Sequence, residues 1–379
     1  MSKRILIYST AYYPFVGGAE IAIKEITDRL EDFEFVMITA QLDSKLSKVE
    51  KIGNIEVHRI SCFLPSSKLA KFKLAFKGHK LGLKLHKEKP FDIVWSMMAS
   101  YSGFAALKFK LKSNLKYLLT LQEGDPIEEI LEKVRFRKKT FSNIFKKADG
   151  LQSISNYLHA WGNKMGFKGS QSEVIPNGVD ISKFTKKYSK EEIQSKRNSF
   201  GFPDNSKIVV TASRLVKKNG VADVIRALDK LPEEYCFLIC GDGELENELK
   251  SLSKDLKKRV KFLGFVSHDE LPLIYKAADI FIRPSLTEGL GNSFLEAMAS
   301  GLPTIGTLVG GIPDFLEDGK TGIVCQPGDI DSIVKAITRA SKLSDDEKKE
   351  LHSNSMKLVN ETFNWDSVAN RMEHLFKIL

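Results

Sequence analysis

The chain has 379 residues, 42% of them hydrophobic and 28% charged, with a net charge of +10. That length favours two domains of about 150–200 residues each. The composition is that of a globular soluble protein, and no apolar run approaches the roughly 20 residues needed to span a bilayer. The charge is uneven: residues 1–190 hold 33 Lys and Arg against 19 Asp and Glu, whereas the remainder hold 25 against 29. A basic first half implies an anionic partner there, with nucleic acid, a membrane surface and a phosphorylated substrate all open.

In chain order, Val/Ile/Leu-rich strands are predicted at Arg4–Ser9, Phe35–Thr39, Ile55–Ile60, Ile93–Ser96, Tyr117–Leu121, Leu151–Ile154 and Val174–Ile175. Six more follow at Ile208–Ala212, Cys236–Cys240, Val260–Leu263, Ile280–Ile282, Thr304–Gly306 and Ile323–Cys325. Amphipathic segments alternate with them, which predicts an α/β chain of parallel sheets covered by helices on both faces. Ile5-Leu-Ile-Tyr after the basic start is too short an apolar stretch for a signal peptide and reads as the first strand. Cys62, Cys236, Cys240 and Cys325 form no Cys-x-x-Cys pair and read as buried reduced thiols of a cytosolic protein. A polar stretch near residues 181–206 marks the break between a first domain, 1–190, and a second, 200–358. Two doubly wound domains of this kind bind ligands in a cleft at the carboxyl ends of their strands.

Gly17 and Gly18 open the first helix without matching Gly-x-Gly-x-x-Gly, so dinucleotide binding loses its main support. The stretch from Lys68 to Lys89 carries eight lysines and one acid, with Leu69, Phe72, Phe76 and Leu83 at helical spacing. It fits a basic helix lying on an anionic membrane, or a solvated helix whose apolar stripe is core. A second basic run spans Lys133 to Lys139. No nucleic-acid-binding motif accompanies this charge. In the second half, Arg214 lies in a strand-to-helix loop, where a guanidinium can meet a diphosphate.

The strongest motif runs from Arg283 to Pro303. A strand leads into a turn with Gly289 and Gly291, and a helix starts near Asn292. Glycines allow close backbone approach, and the free amides of a helix start suit phosphate oxygens. Glu288 precedes the turn. Glu296 lies within the helix, where Ser293-x-x-Glu296 also fits a capping box. Asp329-Ile-Asp331 reads as a helix cap rather than a metal ligand.

The run from Glu288 through Gly289, Gly291, Glu296 and Pro303 closely resembles the donor-site signature of family-4 retaining glycosyltransferases with the GT-B fold. The resemblance covers essentially the whole chain and is strongest from Arg214 to Gly328. It implies two Rossmann-like domains facing a cleft, with a terminal helix, 360–379, crossing back onto the first. It implies that Glu288 contacts the transferred sugar and Glu296 the ribose. The amides of Gly289, Leu290, Gly291 and Asn292 would bind the diphosphate or sugar, as would Arg214. The backbone from Gly264 to Val266 would meet the base, and Gly17 and Gly18 would line the cleft. The chain departs from the pattern twice. Asn219 stands where a lysine is usual, which makes Lys218 a substitute cation or Asn219 a neutral donor. Gln122-Glu123 stands where His-Asp is common, so Gln122 would bind a donor hydroxyl and Asp125 or Glu123 would assist the acceptor.

The expected activity is retaining hexosyl transfer from a nucleotide-diphosphate sugar to a saccharide or lipid-linked acceptor, with no cofactor and no essential metal. The expected place is the cytoplasm, peripheral on the inner face of the plasma membrane. A GT-B-fold nucleotide-sugar epimerase and a non-catalytic sugar-nucleotide or membrane-binding protein are the alternatives.

Overall fold

The computed structural model describes residues 3–61, 67–256 and 258–379; Cys62 lies outside them. The chain forms two compact units. Unit 1 comprises Met1–Gly178 with Trp365–Leu379, and unit 2 comprises Val179–Asn364.

Unit 1 holds eight strands: β1 (Arg4–Tyr8), β2 (Glu34–Ala40), β3 (Val49–Ile52), β4 (Ile55–Ile60), β5 (Ile93–Met97), β6 (Lys116–Leu121), β7 (Gly150–Ser153) and β8 (Gln171–Val174). They form one sheet in the order β3-β4-β2-β1-β5-β6-β7-β8. All pairs are parallel except β3 with β4. Every residue of β1 and β5 is buried, which is why these strands read as continuous apolar runs. The sequence reading misses β3. Its residues, Val49-Glu-Lys-Ile, alternate exposed with half-buried at the sheet edge, where charge discourages pairing with another chain.

The terminal helix, Trp365–Ile378, belongs to unit 1. Trp365, Val368, Met372, Leu375 and Phe376 recur on one face and join Ile5, Phe35 and Trp95 in the core. Phe376 meets Trp95 edge-on with centroids 5.2 Å apart, and Arg371 pairs with Glu173 at 2.7 Å.

Unit 2 holds β9 (Lys207–Ala212), β10 (Tyr235–Cys240), β11 (Val260–Gly264), β12 (Ile280–Arg283), β13 (Thr304–Gly306) and β14 (Ile323–Val324). The order is β11-β10-β9-β12-β13-β14, with every pair parallel. The unit begins earlier than the polar stretch at 181–206 suggests. Val179 bridges to Asn364, and Lys183 pairs with Asp269 at 2.8 Å. Residues 179–190 are therefore part of unit 2, held by contacts too distant in sequence to be visible in local composition. Cys236, Cys240 and Cys325 are buried and free, and burial pushes the Cys240 and Cys325 thiols up.

Both sheets grow outward from a central strand pair. In unit 1 the order reverses between β1 and β5, and in unit 2 between β9 and β12. Loops leaving adjacent strands there diverge to opposite faces of the sheet, which leaves a crevice for ligands at the strand carboxyl ends.

Candidate functional site

In unit 2 the loops leaving β9 and β12 meet at this reversal. Leu286 N donates to Lys218 O at 2.7 Å. Gly220, with φ of 70°, sits so close to Pro284 that a β-carbon would fall 2.2 Å from its carbonyl oxygen. That contact and the left-handed backbone both require glycine. The neighbouring strand ends are stitched in the same way, with Ser213 N donating to Cys240 O and Gly241 N to Gly264 O.

Between the two loops lies a buried polar network. Arg283, the last residue of β12, is 9% exposed. Its Nη2 donates to Asn219 Oδ1 at 2.9 Å and to the Glu288 carboxylate, and its Nη1 donates to Ser293 Oγ at 3.2 Å. Asn219 is buried, and its Nδ2 donates to Arg214 O at 2.7 Å. Glu288, 8% exposed, also accepts from Gly289 N at 3.0 Å. Behind it, Gly311 N donates to Glu288 O at 3.1 Å. The Gly310-Gly311 loop thus braces the Glu288 backbone from behind.

The turn from Gly289 to Gly291 is buried, while Asn292 and Ser293 are half-buried at the start of the helix Asn292–Ala299. Gly291, not Ser293, is the N-cap, and its φ is 103°. The capping-box reading of Ser293 and Glu296 therefore gives way: Ser293 accepts from Arg283 instead. Glu296 is buried 3.8 Å from His268, and burial raises its carboxyl while His268 and Arg283 oppose the shift. His268 follows the half-buried stretch from Gly264 to Val266, in which Phe265 is exposed. Arg214 is exposed and Lys218 half-buried. Asp329 accepts from Ser332 N as a helix cap, and Asp331 pairs with Lys230 at 2.7 Å.

In unit 1, Gln122 and Glu123 follow β6. Gln122 is 7% exposed, and neither of its amide atoms has a hydrogen-bond partner. Glu123 accepts from Ala99 N at 2.7 Å and from Gln122 N at 2.9 Å, and burial pushes its carboxyl up to about 7. Asp125 is exposed, 3.7 Å from Lys133. Gly17 caps the helix Gly18–Arg29, both glycines are exposed, and Glu20 reaches back to accept from Gly17 N at 2.9 Å.

Residues 16–183 match the family described as Glycosyltransferase Family 4, and residues 192–357 match Glycosyl transferases group 1. The chain belongs to the group 1, family-4-type glycosyltransferases. It is 35% identical over 211 residues to an uncharacterized glycosyltransferase of Methanocaldococcus jannaschii, about half the length of each protein. It is 25% identical over 398 residues to a GDP-mannose-dependent phosphatidylinositol monomannoside mannosyltransferase of Corynebacterium glutamicum, covering 99% of this chain and 98% of that one. Sucrose-phosphate synthase from Thermosynechococcus elongatus shares the fold, with a TM-score of 0.84 at 22% identity over 99% of this chain and 98% of that one. The architecture of this glycosyltransferase is GT-B.

Unit 2 therefore brings together Glu288, Asn219 and the turn from Gly289 to Asn292. It holds Asn219 at both ends of its amide, with Oδ1 accepting from Arg283 and Nδ2 donating to Arg214 O. In unit 1, Gln122 is buried and Asp125 exposed, and the two do not share an environment. The residue that sequence reasoning passed over is Arg283. Its signal was a charge ending the otherwise apolar strand Ile280-Phe-Ile-Arg283.

Proposed function

We propose that this glycosyltransferase moves a hexosyl group, with retention, from a nucleotide-diphosphate sugar to a hydroxyl of a saccharide or lipid-linked acceptor. The observation that carries the proposal is the Glu288 turn at the unit 2 strand reversal, braced from behind and set beside a buried guanidinium and a helix start. The barrier in such a reaction is departure of a nucleoside diphosphate from the anomeric carbon. Fixed donors aimed at the leaving phosphates stabilise the charge that develops there. Arg214, Lys218 and the amides from Gly289 to Asn292 supply them, so transfer proceeds without an essential metal. Glu288 orients the sugar, and Glu296 accepts hydroxyls of the ribose.

A lipid-linked acceptor is supported by the surface of unit 1. No described helix is long and apolar enough to cross a membrane. Leu69 and Phe72 of the helix Ser67–Glu88 are exposed, not part of its core face, which is Ala70, Leu74 and Gly78. Arg137 lies over the Phe76 ring at 4.6 Å, joining the second basic run to this helix, and the adjacent Phe136 is 88% exposed. Exposed aromatic groups among lysines and arginines suit an anionic lipid surface.

A thermal-shift screen with UDP, GDP and ADP identifies the donor base, because a ligand at 100 times its Kd adds about 2.7 kcal/mol. With that donor, Glu288→Gln is expected to lower transfer by about 100-fold or more and to leave nucleotide affinity within a few-fold. Unchanged turnover removes the assignment of Glu288. Nucleotide-sugar conversion without any acceptor favours an epimerase instead.

A further inference from the structure

We propose that Arg283 is a further, buried pyrophosphate-binding cation of the donor site beside Arg214 and Lys218, and that Asn219 is the neutral partner which makes room for it and holds it. The inference rests on the donor-site reading above.

A charge at the end of a buried strand needs a reason. Ile280, Phe281 and Ile282 pack into the unit 2 sheet, and an apolar residue at 283 would continue that packing. Burying an ion pair costs desolvation of both ions and is often no more stable than the apolar alternative. Fold stability therefore gives no account of Arg283. Its partners do suggest one. Asn219 comes from the loop after β9, Glu288 from the loop after β12, and Ser293 from the first turn of the following helix. The guanidinium is thus held at the reversal between β9 and β12, where the phosphate-binding features of such a sheet converge.

Two further observations point to a ligand. Arg283 Nε is buried and has no partner. A buried N–H left unpaired costs about 1–3 kcal/mol, which an arriving acceptor would recover. Phosphate is the acceptor that the planar fork of a guanidinium fits best. The second observation is the neutrality of position 219. Asn219 Oδ1 accepts from Arg283 while its Nδ2 is tied to Arg214 O, so the amide cannot turn away. A lysine at 219 would bring a second positive charge against the guanidinium. The two residues act as one unit: a single buried cation, with a short neutral acceptor to aim it.

The test is a charge transfer between the two positions. The readout is the preference for the stabilising nucleoside diphosphate over its monophosphate, measured by calorimetry with UDP, GDP or ADP against UMP, GMP or AMP. In the wild type the diphosphate should bind at least tenfold more tightly. Arg283→Met, which keeps volume and removes charge, should reduce that preference to about threefold or less. Asn219→Lys alone should also weaken diphosphate binding, by crowding two cations. The double variant Asn219→Lys/Arg283→Met returns one cation to the same place and should restore most of the preference. If Arg283→Met does not fold, the Asn219→Lys and double variants decide the matter. Wild-type preference retained in Arg283→Met, or in Asn219→Lys alone, overturns the assignment of Arg283. A wild type without diphosphate preference overturns the donor-site reading itself.

Discussion

At the strand reversal of unit 2 the side chains of Asn219 and Glu288 are fully engaged, whereas beside the reversal of unit 1 both amide atoms of Gln122 have no partner. The sheets are built by the same rule, yet the Asn219 and Glu288 side chains are tied to their neighbours and the Gln122 amide is left open. A wired network fixes charge in advance, which suits a pyrophosphate that is the same in every turnover. Buried polar atoms without partners are costly alone and are relieved by a ligand's own hydroxyls. Under the proposed function, the difference suits unit 2 to the constant part of the reaction and unit 1 to the adaptable part.

The comparison is broken most severely by disturbing the brace under Glu288. Gly310 has φ of 58°, and a β-carbon there would fall 1.8 Å from Glu288 O, a backbone atom that cannot rotate aside. Gly310→Ala should destabilise unit 2 by about 3 kcal/mol or more and lower transfer even where the unit remains folded. A variant with wild-type melting and turnover would show that the network is not held from below.

A smaller effect sharpens the unit 1 side. Burial raises the Glu123 carboxyl from 4.5 to about 7, so the folded state holds a proton that the unfolded chain releases. The stability this group contributes is complete below pH 4.5 and is lost as pH rises through about 7. The shift corresponds to about 3 kcal/mol at about 1.4 kcal/mol per pKa unit. Glu123→Gln should remove that slope. Trp95, Trp161 and Trp365, the chain's three tryptophans, all lie in unit 1, so their fluorescence during urea unfolding at pH 5 and pH 8 reports this unit alone. Equal pH dependence in wild type and variant would mean that Glu123 is not held as a buried acid.

The parallel sheets were legible because buried strands such as Ile5-Leu-Ile and Phe237-Leu-Ile carry their apolar residues without alternation. The Glu288 turn was legible because Gly289, Gly291 and the following helix are close in sequence. Arg283 was not, because its meaning depends on Asn219, 64 positions away. Glu123 was legible as an acceptor-side candidate but not as a buried acid, since its carboxylate is held by Ala99 N beyond the end of a different strand. The edge strand β3 was hidden for the opposite reason: its residues face solvent and carry no core signal. What a single sequence conceals here is the set of contacts by which one loop positions the side chains of another.

The smallest effect on stability falls at the surface that would meet a lipid acceptor. Phe136 is 88% exposed, between Arg135 and Arg137 in a short helical turn, with Arg135 stacked on its ring at 4.7 Å. So exposed a ring adds little to the core, and Phe136→Ser should change unfolding free energy by no more than about 0.5 kcal/mol. On vesicles containing phosphatidylglycerol the same variant should bind several-fold more weakly, because the ring enters the interface while the flanking arginines meet the headgroups. Vesicles of phosphatidylcholine alone should bind neither protein well. Equal binding of wild type and Phe136→Ser to the anionic vesicles would detach unit 1 from the membrane. Its excess of positive charge would then have to serve a soluble anionic acceptor.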